Sequence, residues 1–358
     1  MRRCLRSITL VCVLLMVLTF SVAPAVGQRY PPYTPFVAWN PNGQFLAVGH
    51  DTTLTILDAN TLEVVNSLNN LEMQDVSAAW SPDGNRLAIV NGPDLEVWEQ
   101  VWSDVDAQRS MVYGYYNDLE PPVSREGNIV SLAAIAWNPD GSELAVCPGV
   151  AIYIIDASTG LRVRRLYDDW GNVTDLDWFA DDRFALSAVF NRFGYVVDAF
   201  TGSILNYFYT DRFTQMSSYV ISVAFSPDGN NLVVGTNDGI IALWRNTQAA
   251  VIDNDTPDFL FRNLGDQRHS GRVDALEWSP TGQYIATGSQ DGTIRLWDAV
   301  TGEQLHVINL GEDAWVFSLA WSPDGSKLVY GNADGSVTLF DATQLPGYEP
   351  MTEASSND

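Results

Sequence analysis

One short pattern recurs along this chain at nearly constant spacing, and it limits the fold more than any other feature. An aromatic residue, then Ser or Asn, Pro, a small polar residue and Gly occur at Trp39–Gly43, Trp80–Gly84, Trp137–Gly141, Phe225–Gly229, Trp278–Gly282 and Trp321–Gly325. A degenerate copy, Trp178-Phe-Ala-Asp-Asp182, fills the one gap. The seven aromatics are 41, 57, 41, 47, 53 and 43 residues apart. Self-similarity at such a period means that each unit is one supersecondary element, unable to cover its own faces, that stacks on its neighbours.

Each unit reads alike. An apolar run such as "VFSLAW" stops at Pro-Asp-Gly, where Pro presets φ and Gly accepts positive φ, so the chain turns back. A second run follows, then another tight turn such as Ala333-Asp334-Gly335, then a third run ending near Thr-Gly, and usually a fourth. The runs are short, rich in Val, Ile, Leu, Thr and aromatics, and carry no helical periodicity. Four antiparallel strands per unit describe the blade of a β-propeller. The expected fold is therefore all-β, a seven-bladed propeller of four-stranded antiparallel blades over residues 28–345.

The unit at 269–302 resembles a blade of the WD-repeat family: His269-Ser-Gly, Thr287, Asp291-Gly292 and Trp297-Asp298 stand in the family's order. The resemblance implies that His269, Thr287, Asp291 and Trp297 form a hydrogen-bonded structural tetrad within one blade, and not a catalytic set. Only this unit has all four residues; the others lack the His. Periplasmic propellers of the Tol system, which also repeat Ser-Pro-Asp-Gly, are the competing resemblance. In WD-repeat propellers the last blade is usually completed from the opposite terminus, and the candidates here are "QRYPPYTPF" (28–36) and "TQLPGYEP" (343–350). Proline makes both poor central strands.

The first 27 residues place Arg2, Arg3 and Arg6 before an uncharged apolar run, followed by small residues at Ala23, Ala25 and Gly27. That is the order of a secretory signal peptide, with an uncleaved anchor as the second reading. An extracytoplasmic location is expected, with no membrane span after cleavage. Residues 346–358 read as a disordered acidic tail. The 19 basic residues against 44 acidic ones give a net charge of −25, and removing residues 1–27 would take three arginines and no acid. Such a chain repels phosphate backbones, which excludes nucleic acid as a partner.

No enzyme motif is present, and neither a cofactor nor a metal is expected. His50, His269 and His306 fall in different units, and Cys147 sits on an alternating apolar run, where it reads as core. The acidic stretch Asp253–Asp258 begins like a calcium loop, but Pro257 and Asp258 break the pattern and Leu264 occupies the position of its closing Glu. Loops entering the first run of each unit emerge on one face of a propeller. They carry large side chains of the kind that dominate binding hot spots: Tyr33, Tyr116, Trp170, Phe213, Tyr219, Arg272 and Trp315. These suggest a monomeric protein-interaction platform for a protein or peptide partner, basic or neutral. An enzyme, or a ligand- or glycan-binding propeller working at the channel mouth, is the alternative.

Overall fold

Where alternating runs meet tight turns, the chain builds antiparallel hairpins throughout. The structure is a computed structural model that describes residues 36–50, 52–69, 71, 78–91, 94–103, 107–114, 134–147, 151–167, 172–179, 183–189, 193–209, 218–245, 259–260, 268–311, 314–332 and 336–351. The expected signal peptide lies outside them. Seven sheets are formed, over 36–69, 78–114, 134–167, 172–209, 220–260, 273–309 and 319–341, and are called blades 1 to 7. Six have four strands; the seventh has three among the described residues.

The ring closes on its innermost strands, each the first of its blade: Phe36–Trp39, Ala78–Trp80, Ala134–Trp137, Asn172–Phe179, Val220–Phe225, Val273–Trp278 and Leu319–Trp321. Each touches the next, and the last touches the first. At that seam Ser318 Oγ accepts from Val37 N–H and donates to Val37 O, both at 3.1 Å. Val37, Leu46 and Val48 of blade 1 pack with Ala320 and Val329 of blade 7. The candidate closing segment at 343–350 is not a strand. Ala342–Gln344 form a 3-10 turn, and Leu345 and Tyr348 then pack onto the core between blades 6 and 7. Residues 346–351, expected as the start of the tail, are thus tied down: Tyr284 Oη donates to Pro346 O and Glu349 N–H to Gln283 Oε1. Residues 28–35 and 352–358 lie outside the described residues.

The turns explain the repeated motif. Glycines 43, 84, 141, 229, 282 and 325 all have φ between 66° and 76°, open to Gly at little cost. Ser81, Ser226 and Ser322 hydroxyls each donate to the turn aspartate two residues on, at 2.5 Å. Each also accepts the backbone N–H five residues on, at 2.9 Å. The aspartate of the Trp-Asp position serves the next turn. Asp58, Asp156, Asp198 and Asp298 each accept two backbone N–H groups. At Asp58 and Asp198 these bonds and those of the neighbouring Thr hydroxyl favour the ionised form, and hydrogen bonds led by that of the Ser158 hydroxyl hold Asp156 down to about 2.

Blade edges are handled in two ways. Outer strands of blades 1, 2, 3, 4 and 6 carry a β-bulge at one equivalent position, which spoils the edge for strand addition. Inner edges are satisfied by side chains from the neighbouring blade. The indole N–H groups of Trp80, Trp137 and Trp278 donate to Ala38, Ala79 and Ala224 carbonyls on the preceding blade. Thr174 donates to Ile221 O and Ser222 to Val273 O on the following one. The resulting girdle of hydrogen bonds fastens blade to blade around the channel.

Candidate functional site

The innermost strands all start at the same face, so the residues just before them ring one mouth of the channel. Tyr219, Arg272 and Trp315 each stand six residues before the repeat's aromatic on blades 5, 6 and 7, and all three are half-buried. The Trp315 ring meets the Phe317 ring at 6.0 Å between centroids, tilted by 58°. Tyr219 is fixed through its backbone: its N–H donates to Asn237 Oδ1 (2.6 Å) and its carbonyl accepts from Asn237 N–H (3.1 Å). The Arg272 guanidinium pairs with Asp274, whose carboxylate is almost fully enclosed. Burial pushes Asp274 up despite that partner. Tyr33, Tyr116, Trp170 and Phe213 lie outside the described residues, as does Asp253–Asp258.

The four tetrad residues of blade 6 come together. Trp297 Nε1–H donates to Thr287 Oγ1 (2.9 Å), which lies 2.8 Å from His269 Nε2, while His269 Nδ1 lies 3.0 Å from Asp291 Oδ2. Burial lowers the pKa of the His269 imidazole, so it is neutral. One proton order then satisfies every atom: indole to hydroxyl, hydroxyl to Nε2, and Nδ1–H to carboxylate. Asp291 also accepts the backbone N–H groups of Ser270 (2.9 Å) and Thr293 (3.0 Å). Gln290 N–H reaches Arg272 O at 2.9 Å. The tetrad therefore anchors the segment 269–272 that presents Arg272. Gly239 of blade 5 abuts it: a Cβ there would collide with His269 O, and its φ of +85° suits Gly.

Other blades use substitutes. In blade 2 the buried Glu96 gathers Trp98 Nε1 (2.8 Å), Asn91 Nδ2 (3.2 Å) and Arg109 Nη1 (2.9 Å). In blade 5 the Thr236 hydroxyl donates to Asp238 at 2.5 Å. The His306 ring meets the Phe340 ring at 5.0 Å between centroids, tilted by 34°, and Cys147 is buried.

Three carboxylates on the innermost strands join these residues without having stood out in the sequence. Asp175 and Asp177 of blade 4 accept the Val223 and Phe225 N–H groups of blade 5, at 2.9 and 2.8 Å. Glu277 of blade 6 accepts the Trp321 N–H of blade 7 at 3.2 Å. Burial pushes Asp175 up to about 7, with repulsion from Asp177 adding to it. Burial, then repulsion from both aspartates, pushes Glu277 up to about 8. Asp177 is raised as well, by burial. Their signal in the sequence is an acid directly before the aromatic of a first strand, in "TDLDW" and "DALEW", with a second acid two residues earlier in blade 4. Among the described residues no three His, Cys, Asp or Glu side chains are grouped to hold a metal.

Seven radial sheets with a Trp-Asp turn and one complete His-Thr-Asp-Trp network define a WD-repeat propeller. The family described as "WD domain, G-beta repeat" matches residues 210–245, 263–298 and 302–341, which fall on blades 5 to 7. A guanine nucleotide-binding protein subunit beta of Oryza sativa subsp. japonica is 36% identical over 279 residues, 74% of this chain and 69% of that protein. The chain belongs to the WD-repeat family. Anaphase-promoting complex subunit cdc20 of Dictyostelium discoideum is 31% identical over 234 residues, 64% of this chain. Ribosome biogenesis protein erb1 of Emericella nidulans is 53% identical over 45 residues, 13% of this chain. The chain spans 41% of the length of cdc20 and 6% of erb1.

Proposed function

We propose that this propeller is a non-catalytic interaction platform that works outside the cytoplasm and docks a basic or neutral polypeptide across the channel mouth. The carrying observation is that three adjacent blades present Tyr219, Arg272 and Trp315, each half-buried and each six residues before the repeat's aromatic. The Tyr219 backbone is fixed by the Asn237 side chain and that of Arg272 by the tetrad segment, so little ordering is left there for the moment of binding. The net charge of −25 favours a partner without excess negative charge. Two of the relatives carry the word "subunit" in their names, which suits a binding role.

Carboxylates converging on the channel from blades 4 and 6 speak for the rival reading, an active or ligand-binding site there. Their chemistry favours the platform instead. Each of the three accepts a backbone N–H of the next blade, so each fills a structural place on an inner edge.

The double variant Tyr219→Ala/Trp315→Ala is expected to fold with an unchanged melting temperature and to bind the partner captured by the wild type at least about 10-fold more weakly. Affinity capture followed by titration with the captured protein measures this; undiminished binding would remove the mouth from the proposal. Export has its own check. Mass spectrometry of the chain recovered outside the cytoplasm should show residues 1–27 missing, and retention inside with an intact N-terminus would overturn it.

A further inference from the structure

We propose that the outer side of blades 3 and 4 is an interface with a second copy of this chain. Eight large apolar side chains are exposed among the described residues, and five of them lie here: Leu161, Val163, Phe200, Ile204 and Leu205. Leu161 and Val163 belong to the last turn and outer strand of blade 3; Phe200, Ile204 and Leu205 belong to the corresponding turn and strand of blade 4. The two blades touch at this point. Arg164 Nε donates to Ala199 O at 3.2 Å, and its guanidinium lies 5.4 Å from the Phe200 ring centroid.

Phe200 is 73% exposed, yet it is held. Both Arg164 Nη groups donate to Glu143, at 2.9 and 2.7 Å, and that locked guanidinium supports one side of the ring. A solvated turn has no need of a buttressed phenylalanine. Leu161, in the turn that leads into the strand carrying Arg164, is 68% exposed. Together the five side chains offer roughly 500 Å² of apolar surface, near the upper limit for the largest patch on a monomer. A standard interface takes about 800 Å² from each partner, so this patch with its polar rim is the right size for one half.

Composition and charge name the occupant. Aliphatic side chains with one Phe resemble the apolar interior of homodimer interfaces more than a Trp- and Tyr-rich hot spot. The rim carries both signs on a chain of net charge −25. Arg162 and Arg165 stand exposed on the blade 3 side, and Asp198 lies on the blade 4 side, kept ionised by hydrogen bonds from Thr201. A two-fold axis that sets blade 3 of one copy against blade 4 of the other brings arginines to the aspartate twice over, as an isologous contact requires. The bulged outer strands, with Val163 and Leu205 at the bulge positions, exclude pairing by strand addition, so the contact is made by side chains. This replaces the expectation of a monomer.

Sedimentation velocity on the purified full-length chain, from 1 to about 100 μM, tests the proposal. A species of twice 39.5 kDa is expected, with Phe200→Glu and, separately, Val163→Arg weakening dimerisation at least about 100-fold while the melting temperature stays within about 2 °C. Two sites are used so that a misfolded variant at one leaves the other to decide. A wild type that stays monomeric at the top concentration overturns the proposal, as does a dimer indifferent to both changes. Flotation of a monomeric wild type with phosphatidylglycerol–phosphatidylcholine vesicles, lost in Phe200→Glu, overturns it in favour of a lipid surface.

Discussion

Replacing Asp291 with alanine is expected to lower the unfolding free energy by about 3–5 kcal/mol, read as a fall in the denaturant midpoint at unchanged slope. The carboxylate receives His269 Nδ1–H, the Ser270 and Thr293 N–H groups and, at 2.6 Å, the Thr293 hydroxyl. Its removal strands an imidazole that is wholly buried, and that ring in turn orients the Thr287 hydroxyl on which the Trp297 indole depends. An unsatisfied buried donor costs more than the bond it made was worth, because the group gave up water to enter the core. Asp291→Asn keeps an acceptor oxygen and should cost about half as much. Blade 5 supplies the internal control. Asp238 has a hydroxyl partner but no histidine, so Asp238→Ala should cost about 1–2 kcal/mol. A loss below about 1 kcal/mol in Asp291→Ala would mean that packing alone carries blade 6. The same variant frees the segment 269–272, so partner affinity at the channel mouth should fall although no contact residue has changed.

Much of this architecture can be read from residue order, since it is written in local rules. Pro and Gly at the turns, alternation between them and a constant interval suffice to count seven blades. The Trp-Asp position can be found because both of its side chains act within one blade, the indole toward Thr287 and the carboxylate toward the next turn. What stays hidden depends on which blade stands beside which. Asp175, Asp177 and Glu277 look like the polar half of ordinary alternating strands. Only a closed ring turns alternate positions of separate strands into one acidic wall. Leu161 and Phe200 look like chance apolar residues in two unrelated turns 39 positions apart, and adjacency of blades 3 and 4 makes them one surface. The closing segment misleads for a different reason. A proline-interrupted stretch reads as a strand only because the last blade needs one, whereas Leu345 and Tyr348 find their burial by lying across the blades.

The girdle carboxylates make stability depend on pH in a direction opposite to that of the turn aspartates. Asp175, Asp177 and Glu277 have raised pKa values in the folded protein, so above the ordinary carboxylate range, and up to about 7 for Asp175 and about 8 for Glu277, the native state holds protons that the unfolded chain has released. Stability from these groups is complete at low pH and drains away as pH climbs through the folded values. The buried neutral His269 works the other way. The unfolded imidazole takes up a proton below about 6.5, so His269 costs stability as pH falls below that value. Three acids outweigh one histidine, and above pH 6.5 only the acids remain to act. Asp58, Asp156 and Asp198, with lowered values, withdraw their contribution only on strong acidification, Asp156 near pH 2. Stability should therefore peak near pH 5 and fall by about 2 kcal/mol on going to pH 8. A tenfold change in proton affinity is worth about 1.4 kcal/mol, and the fall is smaller than the raised values would give in full because the half-buried side chains keep some water. The double variant Asp175→Asn/Glu277→Gln retains an acceptor for the Val223 and Trp321 N–H groups while abolishing the charge. It should match the wild type at pH 5 and exceed it by about 1–2 kcal/mol at pH 8. Denaturant titrations at the two pH values decide the matter. A wild type that grows more stable from pH 5 to 8, or a double variant with the full wild-type slope, would show that the channel wall is wet enough to leave these carboxylates ordinary.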